Sequence, residues 1–135
     1  MKDFRRLKVW EKAHFLTLDV YKVTSRFPRE EIYGLTSQLR RCSASMGANI
    51  AEGCGKEGNR ELHRFLQIAS GSASELDYHL LLARDLNYLT ETDYQRVGKQ
   101  LLEFRRMLTA LLQKVGADRF AANCQLLNAY PRPSR

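Results

Sequence analysis

The feature that most constrains the fold is a helical repeat of apolar residues that runs through most of the chain without interruption. Prolines occur only at Pro28, Pro131 and Pro133. Between them, apolar side chains recur at steps of three and four residues, which is the period of one face of an α-helix. No window shows the two-residue alternation that is typical of a strand. The pattern therefore predicts an all-α protein.

Four amphipathic segments follow from this repeat, at about residues 9–27, 31–52, 59–89 and 91–115. Short connections between four helices favour an antiparallel up-down-up-down four-helix bundle. We therefore predict one bundle domain over residues 1–116. The remaining residues, 117–135, are predicted to form a poorly ordered tail, because chain ends are ordered only where other elements hold them.

The ends of three segments carry start and stop signals. Gly53 and Gly55 are typical of a left-handed cap after the second segment. Asn59 is a suitable N-cap for the third segment. Thr90, followed three residues later by Asp93, gives a variant of the capping box at the start of the fourth segment.

The second segment is unusual because small residues lie on several sides of the predicted helix. Residues 38–56 read QLRRCSASMGANIAEGCGK. A phosphate-binding P-loop would need glycine in place of Ile50 and serine or threonine after Lys56, so we exclude that motif. Small side chains instead allow another backbone to approach closely and gain van der Waals contacts. The run ASGSAS at residues 69–74 is the expected neighbour.

A single bundle uses only one face of each helix, so the surplus of small and apolar residues on the first two segments predicts a further neighbour. Self-association is the expected cause, because homo-oligomers are the commonest soluble assemblies. Asn49 either fixes the register of this helix or caps a nearby backbone group. The candidate interface residues are Leu16, Val23, Ala44, Ala48 and Ala51.

The chain is basic, with 22 Lys and Arg against 15 Asp and Glu and a net charge of +7. Such an excess favours a polyanionic partner such as RNA or DNA. Arginine forks can bind phosphates without reading bases. The candidate nucleic-acid-binding residues are Arg5, Arg6, Lys8, Lys12, Arg40, Arg41, Lys56, Arg60, Arg64, Arg105 and Arg106.

Two features qualify this interpretation of the basic residues. Arg40 and Arg41 could instead make structural pairs, and Glu75 or Glu52 could be the partner of Arg41. The tyrosines do not interleave with arginines as they do in proteins that bind single strands by base stacking. We therefore expect binding with little sequence specificity.

No constellation of residues indicates catalysis or a cofactor. The three cysteines, Cys42, Cys54 and Cys124, form no C-x-x-C motif. Glu11 and His14 make one E-x-x-H motif, whereas a di-iron bundle needs two. We therefore predict no enzymatic activity, no metal and no cofactor. Without an apolar signal core or a run of about 20 apolar residues, we expect a cytoplasmic protein with no membrane partner.

The second segment also resembles a known family. Residues 32–53, IYGLTSQLRRCSASMGANIAEG, preceded by WEKA and FPREE, resemble the bacterial four-helix-bundle family named for proteins encoded inside 23S rRNA intervening sequences. The resemblance continues through FLQIASGSASELDYHLLLARDLNYL at residues 65–89 and covers about residues 3–115. It implies an antiparallel four-helix bundle that assembles as a cyclic homopentamer.

The same resemblance extends to the accessory variability proteins of diversity-generating retroelements. Those proteins are basic pentameric barrels that bind nucleic acid and a reverse transcriptase. Two functions therefore stay open for this chain. It is either a non-enzymatic protein that binds RNA or DNA through its basic surface, or an adaptor for a nucleic-acid enzyme such as a reverse transcriptase, without nucleic-acid contact of its own.

Overall fold

The computed structural model describes the backbone of residues 3–129 and the side chains of residues 3–116. Over that backbone the chain forms four α-helices and two three-residue 3₁₀ helices, and no β-strand. The all-α prediction is confirmed. None of the described helices is long and apolar enough to cross a membrane. The α-helices are α1 (Lys8–Thr24), α2 (Leu35–Cys54), α3 (Asn59–Asp85) and α4 (Glu91–Ala129), and the 3₁₀ helices are Phe4–Arg6 and Arg29–Glu31.

The four helices form a bundle in which each packs against two others. α1 and α3 both pack on α2 and on α4, whereas no Cα atom of α1 lies within 8 Å of α3 in the described part of the chain. α1 and α3 are therefore diagonal partners. One apolar cluster fills the centre, and its burial is the main favourable contribution to folding. Its largest fully buried members are Phe104, Leu16, Leu39, Met46, Ile50, Leu66, Leu76, Leu80, Leu101 and Leu108.

The small residues of α2 face those of α3, as the sequence predicts. Ser45 and Ser72 share a hydrogen bond between their hydroxyl oxygens, which lie 2.9 Å apart. Ala73 is fully buried beside them. Asn49 donates to the Ser45 carbonyl oxygen at 2.8 Å. Asn49 therefore caps a backbone carbonyl of its own helix, which is one of the two roles predicted for this residue.

Two of the predicted helix ends are wrong. Gly53 lies buried inside α2, and Gly55 follows that helix with φ −82°, so no left-handed cap forms there. Asn59 is the first residue of α3 and not its N-cap; Gly58 occupies that position with φ 82°, a conformation that glycine adopts without strain. The capping prediction for α4 is confirmed, because the Thr90 hydroxyl accepts from the Asp93 amide at 3.1 Å.

α4 continues past its predicted end near Val115 as far as Ala129. Gly116 lies within the helix beside His63, and a Cβ added to it would lie 3.6 Å from the His63 Nε2. One glycine costs a helix interior only about 1 kcal/mol, which packing against a neighbouring helix readily offsets. The side chains of the predicted tail, residues 117–135, lie outside the described residues.

Candidate nucleic-acid interface

Arg40 and Arg41 are both held by neighbouring groups of the same chain. Arg40 Nε donates to the Thr24 hydroxyl at 2.9 Å, and its guanidinium lies 4.7 Å from the centre of the Tyr21 ring. Arg41 donates a hydrogen bond to the Glu75 carboxylate. Both arginines therefore make structural contacts, as one of their two interpretations predicts. These contacts lie within one chain.

Among the described side chains, four further candidate cations have carboxylate partners, as Arg41 does but Arg40 does not. Such exposed ion pairs contribute only about 0–1 kcal/mol to stability, but they reduce the positive charge available to a polyanion. The hydrogen bond and charge of Lys12, for example, hold the pKa of Glu103 below its ordinary value. The four pairs are Arg5–Asp3, Lys12–Glu103, Arg64–Glu61 and Arg105–Asp77.

Five candidate cations are exposed and have no carboxylate within 4 Å among the described side chains: Arg6, Lys8, Lys56, Arg60 and Arg106. A free cation can bind a phosphate without first giving up an ion pair. The structure therefore divides the predicted binding residues into a paired group and a free group, a distinction that no local sequence pattern contains.

Four of the five free cations lie where α1 and α3 begin: Arg6 and Lys8 at the entry to α1, Lys56 in the α2–α3 loop and Arg60 in the first turn of α3. Phe4, in the first 3₁₀ helix, lines a groove together with Ala51 of the last turn of α2. The start of the chain therefore reaches the end of α2. Lys56 lies in the α2–α3 loop, with its ammonium 6.0 Å from the centre of the Phe65 ring. We call this set the basic end: Arg6, Lys8, Lys56 and Arg60.

The predicted oligomer interface needs a correction on α1. Leu16 and Val23 are only 0% and 3% exposed and belong to the core of the chain, so they cannot contact a second copy. The prediction was wrong because two apolar stripes lie side by side on α1 and the sequence does not show which of them faces the bundle. The large apolar residues of α1 that are exposed are Phe15, Leu18 and Tyr21, at 56%, 51% and 45%.

The three predicted interface alanines on α2 do reach the surface. Ala44 and Ala48 are exposed and Ala51 is half-buried. They line a shallow groove of about 300 Å³ between α1 and α2. Trp10 forms its wall and stacks on His14, with ring centroids 5.0 Å apart and planes inclined by 9°. This aromatic wall was not predicted, although the i, i+4 spacing of Trp10 and His14 in the sequence is a signal for such a ring pair.

A polar network between α1 and α4 was also missed. The Asp19 carboxylate accepts hydrogen bonds from Arg96 at 2.9 Å and from Gln100 at 2.8 Å. Burial acts to raise the pKa of Asp19, but these hydrogen bonds and the charge of Arg96 outweigh it, so the pKa lies below its ordinary value. Asp19 and Arg96 are 77 residues apart, and no local pattern connects them.

The cysteine on the helix seam has the environment expected of a structural thiol. Cys42 is fully buried, and burial, with a smaller contribution from the charge of Glu75, raises its pKa to about 11. A thiol that stays protonated at neutral pH is a poor nucleophile. The described side chains contain no group of three or more His, Cys, Asp or Glu residues that could hold a metal ion.

The fold and these surfaces define a small, basic four-helix-bundle protein whose candidate site is an exposed surface. The chain belongs to the 23S rRNA-intervening sequence protein family, whose model matches residues 5–110. The resemblance drawn from the second segment is thus confirmed. The further similarity to accessory variability proteins stays a prediction.

A solved structure shares the fold. The crystal structure of a protein with unknown function, from the S23 ribosomal protein family of Bacteroides thetaiotaomicron, matches with a TM-score of 0.70 and 23% sequence identity. The match covers 77% of this chain and 97% of that one. At this identity the likeness bears on the fold alone. A comparison with curated proteins gave no significant match.

Proposed function

We propose that this chain is a non-enzymatic protein that binds RNA or DNA through phosphate contacts at the basic end, with little sequence specificity. The observation that carries the proposal is the grouping of four exposed cations without carboxylate partners where α1 and α3 begin. Such cations replace the counterions that surround a nucleic acid, and the release of those counterions drives binding. The net charge of +7 adds a long-range attraction.

The test compares the four free cations with four paired ones. One variant carries Gln at Arg6, Lys8, Lys56 and Arg60, and its matched control carries Gln at Arg5, Arg41, Arg64 and Arg105. Both lose four positive charges, so net charge alone affects them equally. Binding of a labelled RNA is measured by fluorescence anisotropy between about 50 and 200 mM salt.

We expect RNA binding by the basic-end variant to lose most of its dependence on salt concentration. Each lost phosphate contact lowers the slope of log K against log salt by about 0.7–0.9, so four lost contacts lower it by about 3. The control should keep a steeper slope and a higher affinity than the basic-end variant. Equal losses in the two variants, or no binding to wild-type protein at about 50 mM salt, would contradict the proposal.

We also infer that neighbouring helices run antiparallel, in the predicted up-down-up-down order. Four contacts between helices support this direction, since residue numbers rise along one helix while they fall along its partner. They are Lys12–Glu103, Asp19–Arg96, Arg41–Glu75 and Ser45–Ser72.

We further infer that the chain self-associates through the groove between α1 and α2. Ala44 and Ala48 permit close approach of another helix, and exposed apolar surface of this kind marks interaction sites. Phe15 and Leu18 extend the exposed apolar surface of α1. The cyclic homopentamer implied by the family resemblance is the arrangement that we propose.

The adaptor function is the second candidate, and the opposite end of the bundle favours it. Tyr33 is 94% exposed before the start of α2, and Ile32 beside it is also exposed. Leu86 is exposed after the end of α3. Apolar side chains in such positions suit contact with a protein partner such as a nucleic-acid enzyme. If wild-type protein binds no RNA or DNA at low salt, the adaptor function is the one to retain.

A further inference from the structure

We propose that Arg40 binds a carboxylate of a neighbouring copy of this chain, as a charged contact beside the groove between α1 and α2. This inference rests on the self-association proposed above and specifies the chemistry of that interface. It follows from how the Arg40 side chain is held, and from the lack of a carboxylate beside it among the described side chains.

Four arginines of the described residues lie over aromatic rings, and Arg40 differs from the other three. Its guanidinium lies 4.7 Å from the centre of the Tyr21 ring. Each of the others also has a carboxylate within 4 Å, whereas Arg40 has none among the described side chains. The position of Arg40 is therefore fixed while its charge is uncompensated. The other three, each with its ring and its carboxylate, are Arg5 with Phe4 and Asp3, Arg64 with Phe65 and Glu61, and Arg84 with Tyr94 and Asp85.

Contacts within the chain fix the Arg40 guanidinium without occupying all of it. Its Nε donates to the Thr24 hydroxyl at 2.9 Å. Thr24 is only 2% exposed, and its hydroxyl donates to the Val20 carbonyl oxygen at 2.7 Å, so the oxygen accepts from Arg40. Nη2 makes a long hydrogen bond of 3.4 Å to the Tyr21 carbonyl oxygen, and Nη1 has no acceptor among the described residues. The edge formed by Nη1 and Nη2 is therefore available to an oxyanion.

This edge has the chemistry of a carboxylate receptor. Two donors in the plane of a guanidinium match the two oxygens of a carboxylate, so the pair can be bidentate. An arginine usually loses rotamer freedom when it binds, but Thr24 and Tyr21 already hold Arg40 in place. Arg40 is half-buried, so salt screens an ion pair there less than a fully exposed one.

The surroundings of Arg40 favour a protein carboxylate over a nucleic-acid phosphate. Tyr21 is 45% exposed, and Leu18, one turn before it on α1, is 51% exposed. Ala44 follows Arg40 by one turn on α2 and lines the groove. Arginine and tyrosine beside apolar surface are enriched at protein interfaces. Surfaces that bind phosphates instead combine several cations.

A second copy of the chain offers the complementary charge. Several exposed glutamates have no Lys or Arg within 4 Å among the described side chains. In a cyclic assembly the two faces that meet at each interface differ, so Arg40 of one copy can pair with a glutamate elsewhere on the next. These glutamates are Glu11, Glu30, Glu52, Glu57 and Glu91.

The experiment measures assembly, folding and RNA binding of the same variants. Arg40→Gln removes the charge, and Arg40→Lys keeps the charge without the planar fork. Arg84→Gln is the matched control, because Arg84 also lies over a tyrosine ring but pairs with Asp85. Analytical ultracentrifugation gives the concentration at which half of the chains are assembled. The melting temperature of each variant monitors folding, and fluorescence anisotropy of a labelled RNA monitors nucleic-acid binding.

We expect Arg40→Gln to raise the concentration of half-assembly about tenfold or more, because a charge-assisted hydrogen bond is lost at the interface. Arg40→Lys should recover only part of this loss, since an ammonium cannot bind a carboxylate bidentately. Arg84→Gln should assemble as wild type does, and RNA affinity per chain should stay unchanged in all three variants.

Double-mutant cycles identify the partner and keep the test independent of any destabilisation by Arg40→Gln. Each of the exposed glutamates is changed to Gln, alone and together with Arg40→Gln. For the true partner, the single glutamate variant should assemble as poorly as Arg40→Gln, and the double variant should be no worse than either single variant.

Three results would overturn this inference while leaving self-association intact. These are unchanged assembly of Arg40→Gln, an equal loss in Arg84→Gln, and effects of Arg40→Gln that simply add to those of every glutamate variant. Loss of RNA affinity in Arg40→Gln with assembly unchanged would make Arg40 a phosphate contact instead. A wild-type particle with the mass of one chain would overturn the self-association itself, and this inference with it.

Discussion

Gly53 is the residue at which a single side-chain atom decides how closely α2 approaches α3. A Cβ built there would lie 3.0 Å from the Cβ of Phe65 and 3.1 Å from a methyl carbon of Leu62. The Cβ of Phe65 is attached to the backbone and cannot rotate away. Gly98, inside α4, is the opposite case, because a Cβ there would meet nothing within 4 Å.

We expect alanine at these two glycines to change the free energy of unfolding in opposite directions. Gly98→Ala should raise it by up to about 1 kcal/mol, because alanine is the better helix former. Gly53→Ala should lower it by about 1–3 kcal/mol, since overpacking outweighs that gain. Urea unfolding followed by circular dichroism measures both values. If Gly53→Ala instead raises the free energy of unfolding, α2 and α3 can move slightly apart without loss of stability.

At the residue scale, the sequence identified the cations but could not pair them. Arg41 and Glu75 are 34 residues apart, and Arg105 and Asp77 are 28 apart. Each pair depends on how two helices are aligned. Local spacing predicts which side chains share a helix face, but it does not contain that alignment. The distinction between free and paired arginines therefore required the structure.

At the scale of the helices, the α1–α4 contact is held by a polar network as well as by the core. The Asp19 side chain is 16% exposed and Arg96 is 44% exposed, so solvent weakens the ion pair. The pKa of Asp19 is lower in the folded chain than its ordinary value. Its contribution to stability is therefore present above the unfolded pKa and is lost as pH falls through the folded pKa.

This network predicts a specific pH dependence. Asp19→Asn should lower the free energy of unfolding by about 1 kcal/mol at neutral pH, because a charged hydrogen-bond acceptor is lost. The difference from wild type should shrink below about pH 4, where an unfolded aspartate becomes protonated. Urea unfolding across this pH range measures it.

Asp77→Asn is the control for this experiment. Asp77 also pairs with an arginine, but it is 56% exposed, so its removal should cost less than about 0.5 kcal/mol at any pH. If the loss of unfolding free energy caused by Asp19→Asn stays constant as pH falls, the ionised carboxylate of Asp19 is not the source of the stabilisation.

The presence of the helices could be predicted because apolar periodicity is a local property of the sequence. Which helix face points to solvent, and where α4 ends, could not be predicted in this way. α3 begins at Asn59 and α4 at Glu91, close to the predicted positions. The burial of Leu16, however, depends on which of two adjacent stripes meets α2 and α4. α4 likewise continues past Gly116, which its apolar pattern did not indicate.

At the scale of the whole molecule, the groove and the basic end have separate roles in our proposal. Ala44 and Ala48 lie along the side of the bundle, whereas Lys56 and Arg60 lie at its end. Self-association through the side would leave the ends accessible. Several basic ends on one particle would then raise avidity for a long nucleic acid without any new contact.

The self-association proposal predicts that a charge in the groove separates the chains. Ala48→Glu places a carboxylate on apolar surface, where a second copy would have to bury it at a cost of several kcal/mol. Ala110→Glu is the matched control, because Ala110 is also an exposed helical alanine and lies on α4. Neither change should alter folding of the single chain, since both side chains face solvent there. Light scattering coupled to gel filtration should give wild type and Ala110→Glu a mass of five chains, and Ala48→Glu the mass of one.

A wild-type particle with the mass of one chain at high concentration would exclude self-association. If Ala48→Glu leaves the assembly unchanged, this groove is not its interface.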